Sequence, residues 1–543
     1  MTTKKSAEKK LVSIKKSPKS LGKPMKGRDI LVKALVNEGV TVIFGYPGGA
    51  SMEIHQGLTL APKIRMVLPR HEQGGSFAAG GYARATGEVG VCLATSGPGA
   101  TNLITGIIDA KMDSIPIVAI TGQVPSTVLG SDAFQETDIM GATFPLVKHS
   151  YMIQNVAEIP RIIHEAFHIA RTGRPGPVLV DIPKNIQQQE GVADFDVTFD
   201  CPSYRPNLKP SILQCKKAAH TIQAAKRPII YAGGGIISSG ASAELRAFVK
   251  KTGIPITTTV MGLGAYPSTD PLSLRMLGMH GAVYANIAMN HADLVIAMGV
   301  RFDDRVTGKL AEFCENAQII HIDIDPTEIN KNIVVALPIQ GDVKQALKIL
   351  HDYIEPNKDI KPWIKQVQGW KKEFPLEFKL KKGEIVPQAV ISEINKLADD
   401  DAIFSVGVGQ HQMWAAQFLD FDRPNNWLCS SGLGAMGYGM PAAMGAQVAF
   451  PDRQVINIEG DGSFLMNIQE LQTLKIENIP VKNIILNNAH LGMVAQWEDR
   501  FYKSIRGHTF IGDANFAEVA HAFGIKSESI SHPKDVVPAL KRM

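Results

Sequence analysis

Residues 456–463 read INIEGDGS, a strand-like apolar run that stops on one aspartate, Asp461, between Gly460 and Gly462. Further on, VKNIILNNAHLG gives a second short apolar run that ends in Asn487-Asn488. Between them Phe464, Ile468, Leu471 and Leu474 recur at helical spacing, which predicts one amphipathic helix. Strand, turn, helix and strand make a βαβ unit, which returns both strand ends to one edge of a parallel sheet. Asp461 and Asn488 are therefore expected side by side at the carboxyl ends of strands, where open α/β sheets bind ligands. One carboxylate plus one amide carbonyl is a sparse oxygen set. It suits Mg²⁺, which keeps positions for water and phosphate oxygens, and the two glycines would let backbone close on that phosphate. A lone GDG reads as a turn; the asparagine pair closing the next strand favours the metal.

Three α/β blocks must position these groups. The first, 27–190, alternates strands such as Thr41–Phe44, Val91–Ala94 and Ile117–Ile120 with helical stretches. The second, 209–345, holds RPIIYAGGGI, ADLVIAMGV and AQIIHIDID, and the third runs over 385–543. A charged stretch, Trp363–Lys382, is expected to be a helix bridging the last two. Such alternation implies parallel sheets covered by helices, the doubly wound α/β class. Blocks one and three echo each other: GGYARATGEVGVCLATSGPGATN and GYGMPAAMGAQVAFPDRQVINIEGDGS each run helix, strand, glycine turn. Glycine turns that open helices are anion or cofactor cradles. Only the third block's turn carries an acid, so a single cofactor bridging two related halves is the expectation.

Composition narrows the class. Hydrophobic residues make up 45% and charged residues 20% of 543, ordinary for a globular protein. No apolar run approaches the roughly 18 residues of a membrane helix. Cys92, Cys201, Cys215, Cys314 and Cys429 are scattered and never spaced CxxC, which argues against a disulfide framework or zinc and for a reducing compartment. The net charge of +5 is misleading, because residues 1–26 hold nine lysines and one glutamate; that tail is +8 and the remainder −3. The tail is expected to be disordered. The expected location is the cytoplasm, or an organelle if the tail, which lacks arginine and a long apolar run, is a targeting segment. The body shows no basic stripe, which excludes nucleic acid as the expected partner.

With GDG and NN stand FGYPGGA, RHEQG, TSGPGATN, TGQVP, DAFQETD, GRPGPVLVDIPK, LGMHG, GVRFDDRVTG, GVGQHQMWAAQ, GAMGYGMPAA and GMVAQW, in that order from about 27 to 525. Together they resemble the catalytic subunits of the acetohydroxyacid (acetolactate) synthase family of thiamine diphosphate enzymes. The resemblance implies three domains: a pyrimidine-binding 27–190, an FAD-binding 209–345 and a diphosphate-binding 385–543. It implies Mg²⁺ held by Asp461, Asn488 and the carbonyl of His490. Gln410 and His411 would contact the diphosphate, with Tyr46, Gly48, Gly462, Ser463 and Met493 also around the cofactor and Met436 beneath it. Glu72 would hydrogen-bond N1′ of the aminopyrimidine; read alone, Arg70-His71-Glu72 is equally a solvated charged turn. FAD would lie along Arg174, Gly233, His280, Arg301, Asp323 and Asp342, although AGGGI lacks dinucleotide-fingerprint spacing and the two aspartates read alone are strand-end turn acids. Trp497 would favour 2-ketobutyrate over pyruvate as acceptor, where an aromatic is otherwise more often core, and Phe134 and Gln135 would project into the site.

The implied reaction joins two 2-oxo acids for branched-chain amino-acid synthesis, in a homodimer or tetramer with a small regulatory subunit. The alternatives are glyoxylate carboligase, which lacks the glutamate, a pyruvate oxidase, and a non-catalytic relative. Three departures stand out: Gly80 replaces a usual glutamate, Ala489-His490 replaces an acidic pair, and the third sheet's last strand is expected to be missing before Met543.

Overall fold

The computed structural model describes residues 23–199, 201–356 and 358–543, so the lysine-rich tail lies, up to residue 22, outside the described residues. The chain is already ordered before residue 27. β1 (Met25–Lys26) pairs antiparallel with β8 (Glu190–Gly191), and Gly27 N donates to Gln189 O at 2.9 Å, which moves the expected start of the folded chain two residues earlier.

The first sheet contains β2 (Val42–Gly45), β3 (Arg65–Val67), β4 (Gly90–Ala94), β5 (Ile117–Gln123), β6 (His149–Met152) and β7 (Val178–Pro183). Their order is β3-β2-β4-β5-β7-β6, all parallel. β4, β5 and β7 are buried along their whole length, because helices cover both faces and such strands must be near-continuous apolar runs. The second sheet takes β9 (Pro228–Ala232), β10 (Ile256–Thr258), β11 (Ser273–Met276), β12 (Leu294–Met298), β13 (Gln318–Asp323) and β14 (Leu337–Gln340) in the parallel order β11-β10-β9-β12-β13-β14. The third has β15 (Ile403–Val406), β16 (Trp427–Cys429), β17 (Val455–Gly460) and β18 (Lys482–Leu486), ordered β16-β15-β17-β18 and again parallel. The class is α/β, with three parallel sheets.

Each sheet has a winding reversal near its middle, between β2 and β4, between β9 and β12, and between β15 and β17; the first sheet turns back once more at its edge, where β6 lies outside β7. A reversal leaves a crevice beyond the carboxyl ends of the two strands, because the following connections leave to opposite sides. The third sheet reproduces the order of the first four strands of the first, with β16-β15-β17-β18 standing for β3-β2-β4-β5. The helices Glu72–Thr86 and Gly439–Ala449, which precede the equivalent strands β4 and β17, pack face to face. Their backbones nearly touch. A Cβ on Gly81 would meet the carbonyl of Ala442 at 2.2 Å and one on Gly445 that of Ala78 at 1.9 Å, so only glycine fits either position.

Two helical expectations change. The segment after GDG forms two helices, Asp461–Leu465 and Glu470–Ile476, not one. Buried Asn467 sits in the break, where its side-chain amide donates to the carbonyl of Gly437 at 2.7 Å and the backbone tightens into turns. The bridging helix runs only over Lys361–Glu373. Pro375 follows, and the residue before a proline is pushed out of helical conformation.

Candidate active site

The crevice of the third sheet collects the acid and amide picked out from the sequence. Asp461 follows β17 and is buried; its Oδ1 accepts from Gly462 N at 2.8 Å and its Oδ2 from Asn488 N at 3.1 Å. Asn488 follows the neighbouring β18, and its Oδ1 accepts from His490 N at 3.0 Å. Each carboxylate oxygen keeps a further lone pair. No group of three or more His, Cys, Asp or Glu placed to hold a metal ion occurs among the described residues, so a cation here would rest on one carboxylate, amide and backbone oxygens, and its ligand. That is a hard oxygen set, unsuited to softer transition metals.

The two glycines have a further reason beside the one expected. A Cβ on Gly460 would meet His411 Nδ1 at 2.7 Å, and one on Gly462 would meet Leu491 at 2.8 Å and Met436 at 3.3 Å. Side chains of the protein, not only a phosphate, demand the missing atoms. Behind the turn lie His411 and Glu459, both buried, with Nε2 and Oε2 at 3.9 Å. Burial pushes the imidazole down to about 3 and the carboxyl up to about 7, so His411 is a neutral ring near pH 7. It brings no positive charge to an anion.

Gln410, His411, Met436, Asp461, Gly462, Ser463, Asn488, His490, Met493 and Trp497 all line one cavity of about 1090 Å³. The cavity continues into the crevice of the second sheet, where Arg174, His280, Arg301, Asp323 and Asp342 line it. A single small-molecule site usually occupies roughly 300–1,000 Å³, so two ligands fit this space better than one. Gly233 stands one residue behind the wall: a Cβ there would strike the carbonyl of Gly299 at 2.2 Å, and it is Gly234 and Gly235 that face the space. Arg174 is held by Ser114 Oγ at 2.9 Å, Asp325 at 3.1 Å and Glu328 at 2.6 Å. Asp342 caps the helix Val343–Tyr353, accepting from Gln345 N at 3.0 Å, so its local role alone accounts for an acid there. Asp323 is buried with one backbone hydrogen bond, from Asp325 N at 2.9 Å, and burial pushes its carboxyl up to about 7.

Tyr46, Gly48, Glu72 and Gln135 are not on that cavity. They form a second cluster at the crevice of the first sheet. A Cβ on Gly48 would meet Thr95 at 2.5 Å, one on Gly99 would meet Thr95 at 2.7 Å and Glu72 at 3.2 Å, and one on Gly97 would meet the backbone of Gln135 at 2.9 Å. Glu72 Oε2 accepts from Asn102 Nδ2 at 2.9 Å. Gln135 has φ +61°, and Phe134 beside it is 88% exposed. One chain thus carries two separate clusters, of which only that around Asp461 lines the large cavity. Sequence reasoning passed over Asn102, within TSGPGATN, and Glu470, whose carboxylate receives the backbone just before Glu72. The helix break at Asn467 that sets Glu470 beside that backbone has no signature in the spacing of apolar residues.

Family models match the chain in succession. The N-terminal TPP binding domain of thiamine pyrophosphate enzymes matches residues 25–142, the central domain 215–350 and the C-terminal TPP binding domain 407–543. Sheets, crevices and matches together define a thiamine pyrophosphate-dependent enzyme. Acetolactate synthase 3, chloroplastic, of Brassica napus is 53% identical over 96% of this chain and 82% of its own length. The chloroplastic acetolactate synthase of Arabidopsis thaliana is 53% identical over 96% of this chain and 80% of its own, and acetolactate synthase 1 of Oryza sativa subsp. japonica 54% over 96% and 83%. The chain belongs to the acetolactate synthase family.

Proposed function

We propose that this enzyme takes two pyruvates to acetolactate and CO₂, or pyruvate and 2-ketobutyrate to acetohydroxybutyrate and CO₂. The carbon–carbon bond from the first acid's carbonyl carbon to its carboxylate breaks, and a new one forms to the second acid's carbonyl carbon; no oxidant is consumed. The observation that carries the reading is 53% identity across 96% of the chain to proteins named acetolactate synthase. Bound thiamine diphosphate supplies the electron sink that lets a 2-oxo acid lose CO₂. Asp461, the Asn488 side chain and the His490 carbonyl would hold Mg²⁺ against the diphosphate, for which their hard oxygen set is suited. Gln410, Ser463 and the backbone around Gly462 orient that end, while Met436 and Met493 pack the cofactor's body. Glu72 holds the proton at N1′ of the pyrimidine, Tyr46 and Gly48 border the ring, and Gln135 and Trp497 face the second acid.

FAD fits the second-sheet crevice. Asp323 keeps lone pairs for sugar hydroxyls, Arg174 and Arg301 offer cationic donors, His280 adds a ring, and Gly234 lets the ligand approach the wall in front of Gly233. Asp342 stands at the rim. Because the balanced reaction moves no electrons, the flavin has no net redox role.

The two separate clusters support an assembly in which Glu72 of one chain meets the cofactor anchored by Asp461 of a second copy, in a homodimer or tetramer. Apolar residues stand exposed on both halves, Phe134 and Phe144 on the first and Trp497, Phe501 and Ile505 on the third. A small regulatory subunit is a further partner implied by the family. No helix among the described residues is long and apolar enough to cross a membrane. The chloroplastic names of the relatives support an organelle over the cytoplasm, with the lysine-rich residues before Met25 as targeting segment.

Incubation with pyruvate, thiamine diphosphate, Mg²⁺ and FAD is the test. Acetolactate is the expected product, and anaerobic pyruvate leaves the flavin absorbance unchanged. Bleached flavin without acetolactate would indicate an oxidase instead.

A further inference from the structure

Glu470 opens the helix Glu470–Ile476 in the third domain and is 0% exposed. Its hydrogen bonds come from two backbone N–H groups and a hydroxyl, with the Arg70 guanidinium acting on it only through charge. Burying an unpaired carboxylate is costly unless hydrogen bonds satisfy it. Its bonds come from the first domain and from its own helix. Arg70 N donates to Oε1 at 2.9 Å and to Oε2 at 3.1 Å, His71 N donates to Oε1 at 3.1 Å, and Thr473 Oγ1 donates to Oε2 at 2.7 Å. Arg70 and His71 are the two residues that lead into Glu72, the first residue of its helix. The fit is close, since a Cβ on Gly74 would meet Glu470 Oε1 at 2.5 Å.

A counterpart exists across the internal repeat. Asp113, at the end of the first-domain helix Ile104–Asp113, accepts from Ser431 N at 2.9 Å and Gly432 N at 2.7 Å, in the loop that leads to Met436. In each half, then, an acid on the helix after the glycine turn grips the backbone that launches the other half's cofactor-facing residue.

We propose that Glu470 is a positioning residue for Glu72, fixing through the N–H groups of Arg70 and His71 the place from which the Glu72 carboxylate reaches the pyrimidine. This rests on the reading of Glu72 given above. Asn102 holds the Glu72 carboxylate from one side, and Glu470 sets its backbone from the other. A small displacement is enough to matter, because about 1 Å of misplacement of a reacting group costs about 100-fold in rate.

The test uses the full chain loaded with Mg²⁺ and thiamine diphosphate without substrate. It follows exchange of the cofactor's C2 proton for deuterium by quench and NMR, alongside cofactor affinity and thermal midpoint. Glu72→Gln is expected to slow exchange strongly. Glu470→Ala is expected to slow it by about 10- to 100-fold, with cofactor affinity within about twofold, since none of the diphosphate anchors is touched. Glu470→Gln keeps one oxygen for both N–H groups and is expected to recover most of the exchange rate. Wild-type exchange in Glu470→Ala beside slow exchange in Glu72→Gln overturns the proposal and leaves the reading of Glu72 intact. Wild-type exchange in Glu72→Gln overturns both. If Glu470→Ala does not fold, Glu470→Asp decides, because it keeps a carboxyl group and withdraws it by one methylene; wild-type exchange there overturns the proposal. Loss of exchange in Glu470→Gln in step with a lost thermal midpoint also overturns it, as the mark of a merely structural residue.

Discussion

Trp497 is 40% exposed and leans on Phe501, with ring centroids 5.0 Å apart. An indole held on an open wall can select an acceptor by one methylene, worth roughly 1–3 kcal/mol. Trp497→Leu is therefore expected to lower the preference for 2-ketobutyrate over pyruvate about tenfold while acetolactate still forms. Both acceptors competing in one tube measure it, and an unchanged product ratio removes Trp497 from the site. Asp181 acts further back. It accepts from Thr121 Oγ1 at 2.6 Å and from Gln123 Nε2 at 3.0 Å, and Gln123 in turn holds Thr137 O in the loop of Gln135. Burial raises its carboxyl to about 6 from an ordinary 3.8. The protonated form is favoured in the folded state, so its contribution is fully present below about pH 4 and is lost as pH rises through about 6. Asp181→Asn does not titrate there. Its stability relative to wild type is expected to improve by roughly 1–2 kcal/mol from pH 5 to pH 8, and equal differences in thermal unfolding at the two pH values would contradict this. At this scale the sequence was legible where neighbours follow from topology. Asp461 and Asn488 end strands that had to be adjacent. Glu470 and Arg70 lie 400 positions apart, and only packing of the two repeats brings them together.

The paired helices Glu72–Thr86 and Gly439–Ala449 give adjacent glycines opposite roles. Gly81 meets Ala442, whereas a Cβ on buried Gly80 would find no atom within 4 Å. Gly80→Ala is expected to stabilise by about 0.5–1 kcal/mol, the helix-interior cost of glycine. Gly81→Ala forces the helices apart and is expected to cost more than about 1–3 kcal/mol, the usual penalty of overpacking. Chemical denaturation of the two variants checks the sign, and two changes of the same sign would contradict the packing. The strands were legible because fully buried parallel strands are continuous apolar runs, as in β5 and β12. Helix ends were not. The break at Asn467 depends on a carbonyl 30 residues away, and periodicity is blind to such a bond.

At the scale of the whole molecule, Asp461 lines the large cavity and Glu72 does not; on the proposed reading the first anchors a diphosphate and the second meets a pyrimidine. The repeat of blocks one and three, faint in the sequence, is plain in the shared strand order. It was faint because the two halves share backbone path and glycine placement more than side chains. Two copies related by symmetry can join first half to third half twice over. Mixing Glu72→Gln and Asp461→Ala chains, each inactive alone, by joint unfolding and refolding tests this most directly. If the site spans two chains, each mixed dimer has one site with both lesions and one with none, and random pairing restores about a quarter of wild-type acetolactate formation per chain. If each site lies within one chain, every site keeps a lesion, and a mixture that stays inactive with mixed dimers confirmed by mass would contradict the account.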